Sequence, residues 1–186
     1  NSILLTFIGS PFLYYGDEIG MGDDIWLDDR DGVRTPMQWN SRPNTGFTDE
    51  NAPEDRLYTP VIDDETYGYK TVNVAAQEDD PDSLLNWTRT ALRIRKAHPV
   101  FGRGELTVLK PDNAAILAYV RADDEERVLV VNNLSSDPQP VPLELDPGEA
   151  ATLEDLFTGE KIEVSDPGTQ SLSLKGYGYR WLKLIS

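Results

Sequence analysis

The chain has 186 residues and a formal net charge of −16, from 33 acidic against 17 basic residues. A surface of that sign repels nucleic acid and acidic membranes, so neither is expected as a partner. The absence of cysteine excludes disulfides and thiolate metal sites, and with nothing to argue for an oxidising compartment the expected location is cytoplasmic. In chain order, residues 3–8 form the longest apolar run, far short of the about 20 residues that span a bilayer. They read as the end of an apolar helix that begins before Asn1.

Phe12, Leu13, Tyr14 and Tyr15 follow as a continuous apolar run bounded by Pro11 and Gly16. Alternation would suggest one open face; continuity predicts a strand covered on both, as in a parallel sheet. Past its end come Asp17, Glu18, Gly20 and Gly22, then a loop in which Arg30 and Arg34 flank Asp31 and Gly32. Polar groups just beyond a buried parallel strand stand where α/β enzymes keep their sites. A guanidinium offers five donors in a planar fork, able to hold a carboxylate and ligand hydroxyls together. The competing reading of Arg30 is a surface ion pair with Asp28, Asp29 or Asp31, and Arg34 is expected to brace the loop that continues into Thr35–Trp39. Asp17 and Glu18 are adjacent, so at an extended strand end they point to opposite sides and cannot act on one bond together. Glu18 is expected to hydrogen-bond backbone instead. Asp23, Asp24, Asp28, Asp29 and Asp31 invite a calcium reading, but aligning Gly32 with the glycine of a calcium loop puts Leu27 and Gln38 where acids are required. No metal site is expected in this chain.

Residues 40–70, rich in Pro, Asn, Asp and Gly, predict a long surface excursion with at most a turn of helix. The aromatics Trp39, Phe47, Tyr58, Tyr67 and Tyr69 either pack down or line a site; packing is preferred because aromatics bury large areas wherever they sit. Asp80 as N-cap, Pro81 at the first helical position and Asp82 near the positive end of the dipole predict a helix. Leu84, Trp87, Ala91 and Ile94 would form its buried stripe, with Arg89, Arg93 and Lys96 opposite and a stop near His98, before Pro99. His98, the single histidine, is expected to be structural or solvent-facing. From Gly102 onward, short strands are predicted over 106–109, 115–121, 127–134, 141–145, 151–157, 161–164, 171–174 and 179–185, with hairpin turns at 123–126 and 158–159. Such spacing argues for an antiparallel β-sandwich.

The segments GSPFLYYGDEIGMG and DRDGVRTPMQW resemble the last barrel strand and following loop of glycoside hydrolase family 13, the α-amylase family. The likeness extends over 71–101 and, more loosely, over the rest of the chain. The fold it implies is α/β followed by all-β: the last strand-helix unit of a (β/α)8 TIM barrel over 1–101, then a C-terminal antiparallel β-sandwich over 102–186. A whole barrel needs roughly 250 residues, and one strand-helix unit is visible here, so the chain is expected to be the C-terminal piece of a longer enzyme.

Retaining cleavage of a glucoside needs a carboxylate nucleophile and a carboxylic acid about 5 Å apart. The resemblance implies that these, with an aspartate beside a histidine, lie on barrel strands ahead of Asn1. Neither a His-Asp pair nor an Asp-x-x-Arg-x-Asp segment occurs here, so no catalytic residue is assigned and the chain alone is expected to be inactive. An arginine-aspartate pair leading into RTPMQW resembles the α-glucosidase-like members, and the form with Gly32-Val33 those that interconvert maltose and trehalose. In such relatives the arginine matching Arg30 grips the non-reducing glucose, so Arg30, Asp31 and Arg34 are the expected substrate-binding residues. The implied substrates are maltose, trehalose or other α-glucosides; no cofactor is expected in this chain, while calcium could be held upstream. One alternative is a hydrolase of the oligo-1,6-glucosidase kind. Another is a non-catalytic β-sandwich that forms homo-oligomers or contacts glycan through Tyr177, Tyr179 and Trp181, although their near-alternation suits core packing better. Transfer is preferred to hydrolysis because it needs a site closed to water, and the short segment 21–29 carries Ile25, Trp26 and Leu27 as an apolar seal.

Overall fold

Regular alternation in the C-terminal half becomes a β-sheet in the computed structural model, which describes residues 1–49, 51–53, 56–143, 152–164 and 170–185. The helices are α1 (Ser2–Thr6), α2 (Val74–Glu78), α3 (Leu84–Ala97) and α4 (Val100–Arg103), and the strands are β1 (Glu105–Val108), β2 (Ile116–Ala122), β3 (Arg127–Asn133), β4 (Gln139–Leu143), β5 (Thr152–Asp155), β6 (Lys161–Glu163), β7 (Gln170–Leu174) and β8 (Tyr179–Ile185). Residues 144–145 and 151 of the expected strands lie outside the described residues. Two compact units emerge, one of Asn1–Pro11 with Thr90–Ser186 and the other of Phe12–Arg89. Among the described residues no helix is long and apolar enough to cross a membrane.

In the first unit the strands run antiparallel in a six-stranded sheet of order β1-β2-β3-β8-β5-β6, with β4 and β7 paired as a separate ribbon. Period-two alternation sends Ile116, Ala118 and Val120 of β2, Leu129 and Val131 of β3, and Leu182 and Leu184 of β8 into one core with Val141, Leu172 and Leu174 of the ribbon. This is the expected sandwich, with its strands split unequally. The opposite residues, Tyr119, Val128, Val130 and Trp181, are equally buried. There Phe7 meets Tyr119 edge-on with ring centroids 5.4 Å apart, and Phe101 lies 5.2 Å from Trp181. Burial of Trp181 settles its role as packing, whereas Tyr177 is exposed.

Both predicted turns form. Asp123 Oδ1 accepts from the amides of Glu125 and Glu126 at 3.0 and 2.9 Å and closes the β2–β3 hairpin, and Gly159 takes a φ of 72° between β5 and β6. His98 is structural, its Nδ1 2.6 Å from Glu126 Oε1, which also receives Lys183 Nζ at 3.0 Å.

In the second unit, Ile19, Met37 and Leu85 form a small core with Met21, Val72 and Val74 against it. The strand expected at Phe12–Tyr15 is absent: no strand is assigned to these residues, and Phe12 is 88% exposed. A strand covered on both faces exists only by pairing with neighbours, and no described segment pairs with this one. The backbone turns instead, with the amides of Ile19 and Met21 both donating to Gly16 O at 3.1 and 3.0 Å.

Among the described residues, 40–70 are largely irregular and include the short 3-10 turn Pro43–Gly46. The following helix starts later than expected. Asp80 forms a local turn by accepting from Asp82 N at 3.0 Å, and Ser83 caps α3 by accepting from Asn86 N at 3.2 Å. The carbonyls of Gln77, Glu78 and Asp80 are taken by the Asn86 side chain at 3.1, 3.1 and 2.8 Å, which ties 80–83 into a non-helical link. The buried stripe accordingly centres on Leu85, Thr88, Ala91 and Ile94, with Arg89, Arg93 and Lys96 exposed opposite.

Candidate functional site

The RTPMQW segment is a fixed scaffold. Thr35, Met37 and Gln38 are buried, and Gln38 Nε2 donates to the carbonyls of Tyr67 and Val72. Its own carbonyl receives Val74 N at 2.9 Å, joining the segment to the start of α2. Thr45 Oγ1 donates to Met37 O at 2.8 Å from a backbone held at φ 58°. Tyr15 OH donates to Thr35 O at 3.0 Å, and Thr59 Oγ1 to Arg34 O at 3.3 Å. Burial and the nearby Tyr14 hold the Tyr15 phenol above its ordinary pKa, outweighing the Arg34 charge, so it remains a donor.

The preceding loop is drawn tight at Gly32. A Cβ there would sit 2.2 Å from Asp23 Oδ1 and 2.4 Å from Asp24 O, and Asp24 N donates to Gly32 O at 3.2 Å. Only glycine admits that approach, so Gly32 brings 23–24 against the 3-10 turn Asp31–Arg34. Asp17 Oδ2 and Glu18 Oε2 accept the amides of Tyr14 and Gly16 at 2.9 and 2.8 Å. Both carboxylates therefore hold the turn backbone, as expected for Glu18.

Within this unit a cavity of about 520 Å³ is lined by Tyr14, Tyr15, Asp17, Asp23, Arg30 and Arg34, among others. Arg30 and Arg34 thus both line it, while Asp31, in the 3-10 turn between them, does not. Arg30 has only a loose surface pair, its Nε 3.7 Å from Asp29 Oδ2 with both side chains more than 70% exposed. The bracing expected of Arg34 is done by its carbonyl oxygen; its guanidinium forms no hydrogen bond or ion pair among the described residues. A second cavity of about 440 Å³ shares Tyr15 and Arg34 with the first and continues along Glu18, Trp39, Phe47 and Tyr58. Most of the five aromatics therefore do not pack down: Trp39, Phe47, Tyr58 and Tyr67 are 49%, 53%, 87% and 49% exposed, while Tyr69 is half-buried.

Ile25 and Trp26 are exposed as well, so they are not core residues. The aspartates of 23–31 do not converge: Asp24 Oδ1 is engaged by Trp26 N at 3.1 Å, and among the described residues no three acids or histidines group as metal ligands. Gln77 escaped the sequence reading. Its Nε2 donates to Ile19 O at 2.7 Å and its Oε1 accepts Leu85 N at 3.0 Å, linking the site turn to α3, yet a single glutamine in a polar run gives no signal of that.

Residues 1–104 match the model of the α-amylase catalytic domain, and 106–181 that of the maltogenic amylase C-terminal domain. The trehalose synthase/amylase TreS of Mycobacterium tuberculosis is 48% identical over all of this chain and 31% of its own length. The trehalose synthase of Pimelobacter sp. is 46% identical over 99% of this chain and 32% of its own, so the chain spans about a third of these curated relatives. A probable oligo-1,6-glucosidase of Bacillus subtilis is 29% identical over 73% of the chain and 29% of its own length. Among solved structures, the trehalulose synthase MutB of Pseudomonas mesoacidophila superposes with a TM-score of 0.78 at 26% identity, over 98% of this chain and 37% of that one. The catalytic-domain model covers more than half of the residues, and on that match, together with the paired arginines and the RTPMQW scaffold, the chain belongs to the α-amylase family.

Proposed function

We propose that this chain is part of an enzyme that interconverts maltose and trehalose by intramolecular α-glucosyl transfer. The observation that carries the reading is likeness to trehalose synthases at 42–48% identity over nearly the whole chain, against 29% over 73% of it for a glucosidase. The geometry supports it: two guanidiniums without tight partners line one cavity with Asp17 and Asp23, an arrangement suited to several hydroxyls of a neutral sugar. Arg30 is the residue proposed to hold the glucose being transferred, with the acid and the nucleophile supplied from outside this chain. The division into a barrel end over 1–101 and a β-sandwich over 102–186 belongs to the same proposal, supported by family matches that meet at 104–106.

The test is to give the full-length enzyme maltose alone and follow sugars with time. Trehalose as the main product, with a minor glucose leak, is expected; glucose dominant from the start would sink the isomerase reading in favour of hydrolysis. The purified 186-residue chain by itself is expected to turn over neither maltose nor a nitrophenyl glucoside, and measurable turnover would mean that a catalytic pair exists within it.

A further inference from the structure

The cavity beyond Arg34 has a composition that bears on how an isomerase keeps its substrate. Its walls include the rings of Tyr15, Trp39, Phe47 and Tyr58, and its charged groups are Arg34 and Glu18. One oxygen of Glu18 already accepts Gly16 N at 2.8 Å, which leaves the Arg34 guanidinium as the one cation on the wall, without a hydrogen bond or ion pair among the described residues. Because Arg34 and Tyr15 also line the cavity that holds Arg30, the two spaces adjoin at these two side chains. A lining that carries one cation and one carboxylate favours neither charge in a ligand, and aromatic faces suit the C–H face of a sugar ring, so the occupant that fits is a neutral hexose. Aromatic contact is non-directional, whereas a hydrogen bond fixes orientation. A cavity rich in rings with one free fork therefore holds a sugar and still lets it turn.

Resting on the transfer reading above, we propose that Arg34 is a specificity-determining residue that retains the freed glucose in this second cavity while the glucosyl unit stays beside Arg30. In the reaction the C1–O4 bond of maltose breaks, and its electron pair with a proton from the acid remains on O4 of the released glucose as C1 bonds to the nucleophilic carboxylate. The retained glucose then offers its anomeric hydroxyl. The C1–carboxylate bond breaks as the new C1–O1 bond forms, and the hydroxyl proton returns to the group that served as acid. A water molecule in place of that glucose gives hydrolysis, so loss of retention appears as a changed partition between products.

The experiment measures the early glucose-to-trehalose ratio from maltose in the full-length enzyme and in its Arg34→Met, Arg34→Lys and Tyr58→Ala variants, with thermal melts alongside. Arg34→Met is expected to raise the ratio about fivefold, the scale of one lost hydrogen bond. Arg34→Lys should recover part of the effect, and Tyr58→Ala, at an exposed position where folding is undisturbed, should move the ratio the same way. Variants with weakened retention should also incorporate more added labelled glucose into trehalose than the parent does. Equal slowing of both products with a lowered Tm, or an unchanged ratio in all three variants, overturns the proposal. Should Arg34→Met fail to fold, Tyr58→Ala and the label decide it. A parent that makes only glucose is a different result, because it removes the transfer reading itself.

Discussion

Arg30 illustrates how a candidate binding residue is singled out by the company it keeps in sequence and weighed by its surroundings in space. Its pair with Asp29 is long and exposed, the kind worth well under about 1 kcal/mol, so little holds the fork away from a ligand. Arg30→Ala in the full-length enzyme is expected to lose roughly 2–3 kcal/mol of transition-state stabilisation, read as a fall in kcat/KM for maltose, with Tm unchanged. Arg30→Lys should restore little, since an ammonium cannot reproduce a planar fork. Near-parental kcat/KM in Arg30→Ala would show that the arginine is only half of a surface pair. Arg34 differs: the motif made it legible as a site residue, but its neighbours Tyr15 and Thr59 brace the backbone at 34–35 and release its side chain for another task.

At the scale of elements, β2 carries one residue that breaks the apolar pattern on the helix-covered face. Arg121 is 1% exposed, and its guanidinium donates to the carbonyls of Thr6, Phe7, Phe101 and Gly104 at 2.7, 3.1, 3.0 and 2.8 Å. These are the carbonyls left free where α1 and α4 end. Burial lowers the Arg121 pKa, the Arg95 charge adds to that, and Tyr119 opposes both. Arg121→Met keeps much of the volume but strands the acceptors, so a loss of roughly 3 kcal/mol or more is expected, measured by denaturant unfolding; a change below about 1 kcal/mol would mean that water serves those carbonyls equally well. The turn at Asp64 supplies a pH dependence. Its Oδ1 accepts from Tyr67 N and Thr66 N at 2.6 and 2.7 Å, and these bonds hold its pKa below the ordinary value. A carboxylate depressed in the folded state contributes stability that is complete above its unfolded pKa, about 3.9, and is lost as pH falls through the folded one. The Tm gap between the parent and Asp64→Ala should thus be full at neutral pH and close on acidification below about pH 4; a gap that persists in acid would contradict this.

For the molecule as a whole, residues 1–11 and 90–103 belong with the β-sandwich by packing, and Phe101 covers Trp181. A piece beginning at residue 102 is expected to fold with antiparallel β structure but to melt below one beginning at residue 90, because it lacks that ring and an acceptor of Arg121. Equal melting temperatures would show that the helical cover adds nothing to the sheet.

What the sequence by itself determined is whatever rests on local pattern. Period-two alternation with turn residues between placed the strands, because the pleat sends neighbouring side chains to opposite faces whatever they pack against. The arginine-aspartate pair before RTPMQW singled out the candidate site for a similar reason, since Arg30 and Arg34, four residues apart, both line one cavity. Tertiary structure alone decided whatever needs a partner distant in the chain. Phe12–Tyr15 has the composition of a buried strand, but a strand is made by its neighbours and none of the described segments pairs with it. The start of α3 moved because the Asn86 side chain claimed the Asp80 carbonyl that a helix capped at Asp80 would have used, and Ser83 took over the cap. Arg34 became a cavity wall rather than a brace because Tyr15 and Thr59, distant in the chain, hold the carbonyls of Thr35 and Arg34, a division of labour set by packing.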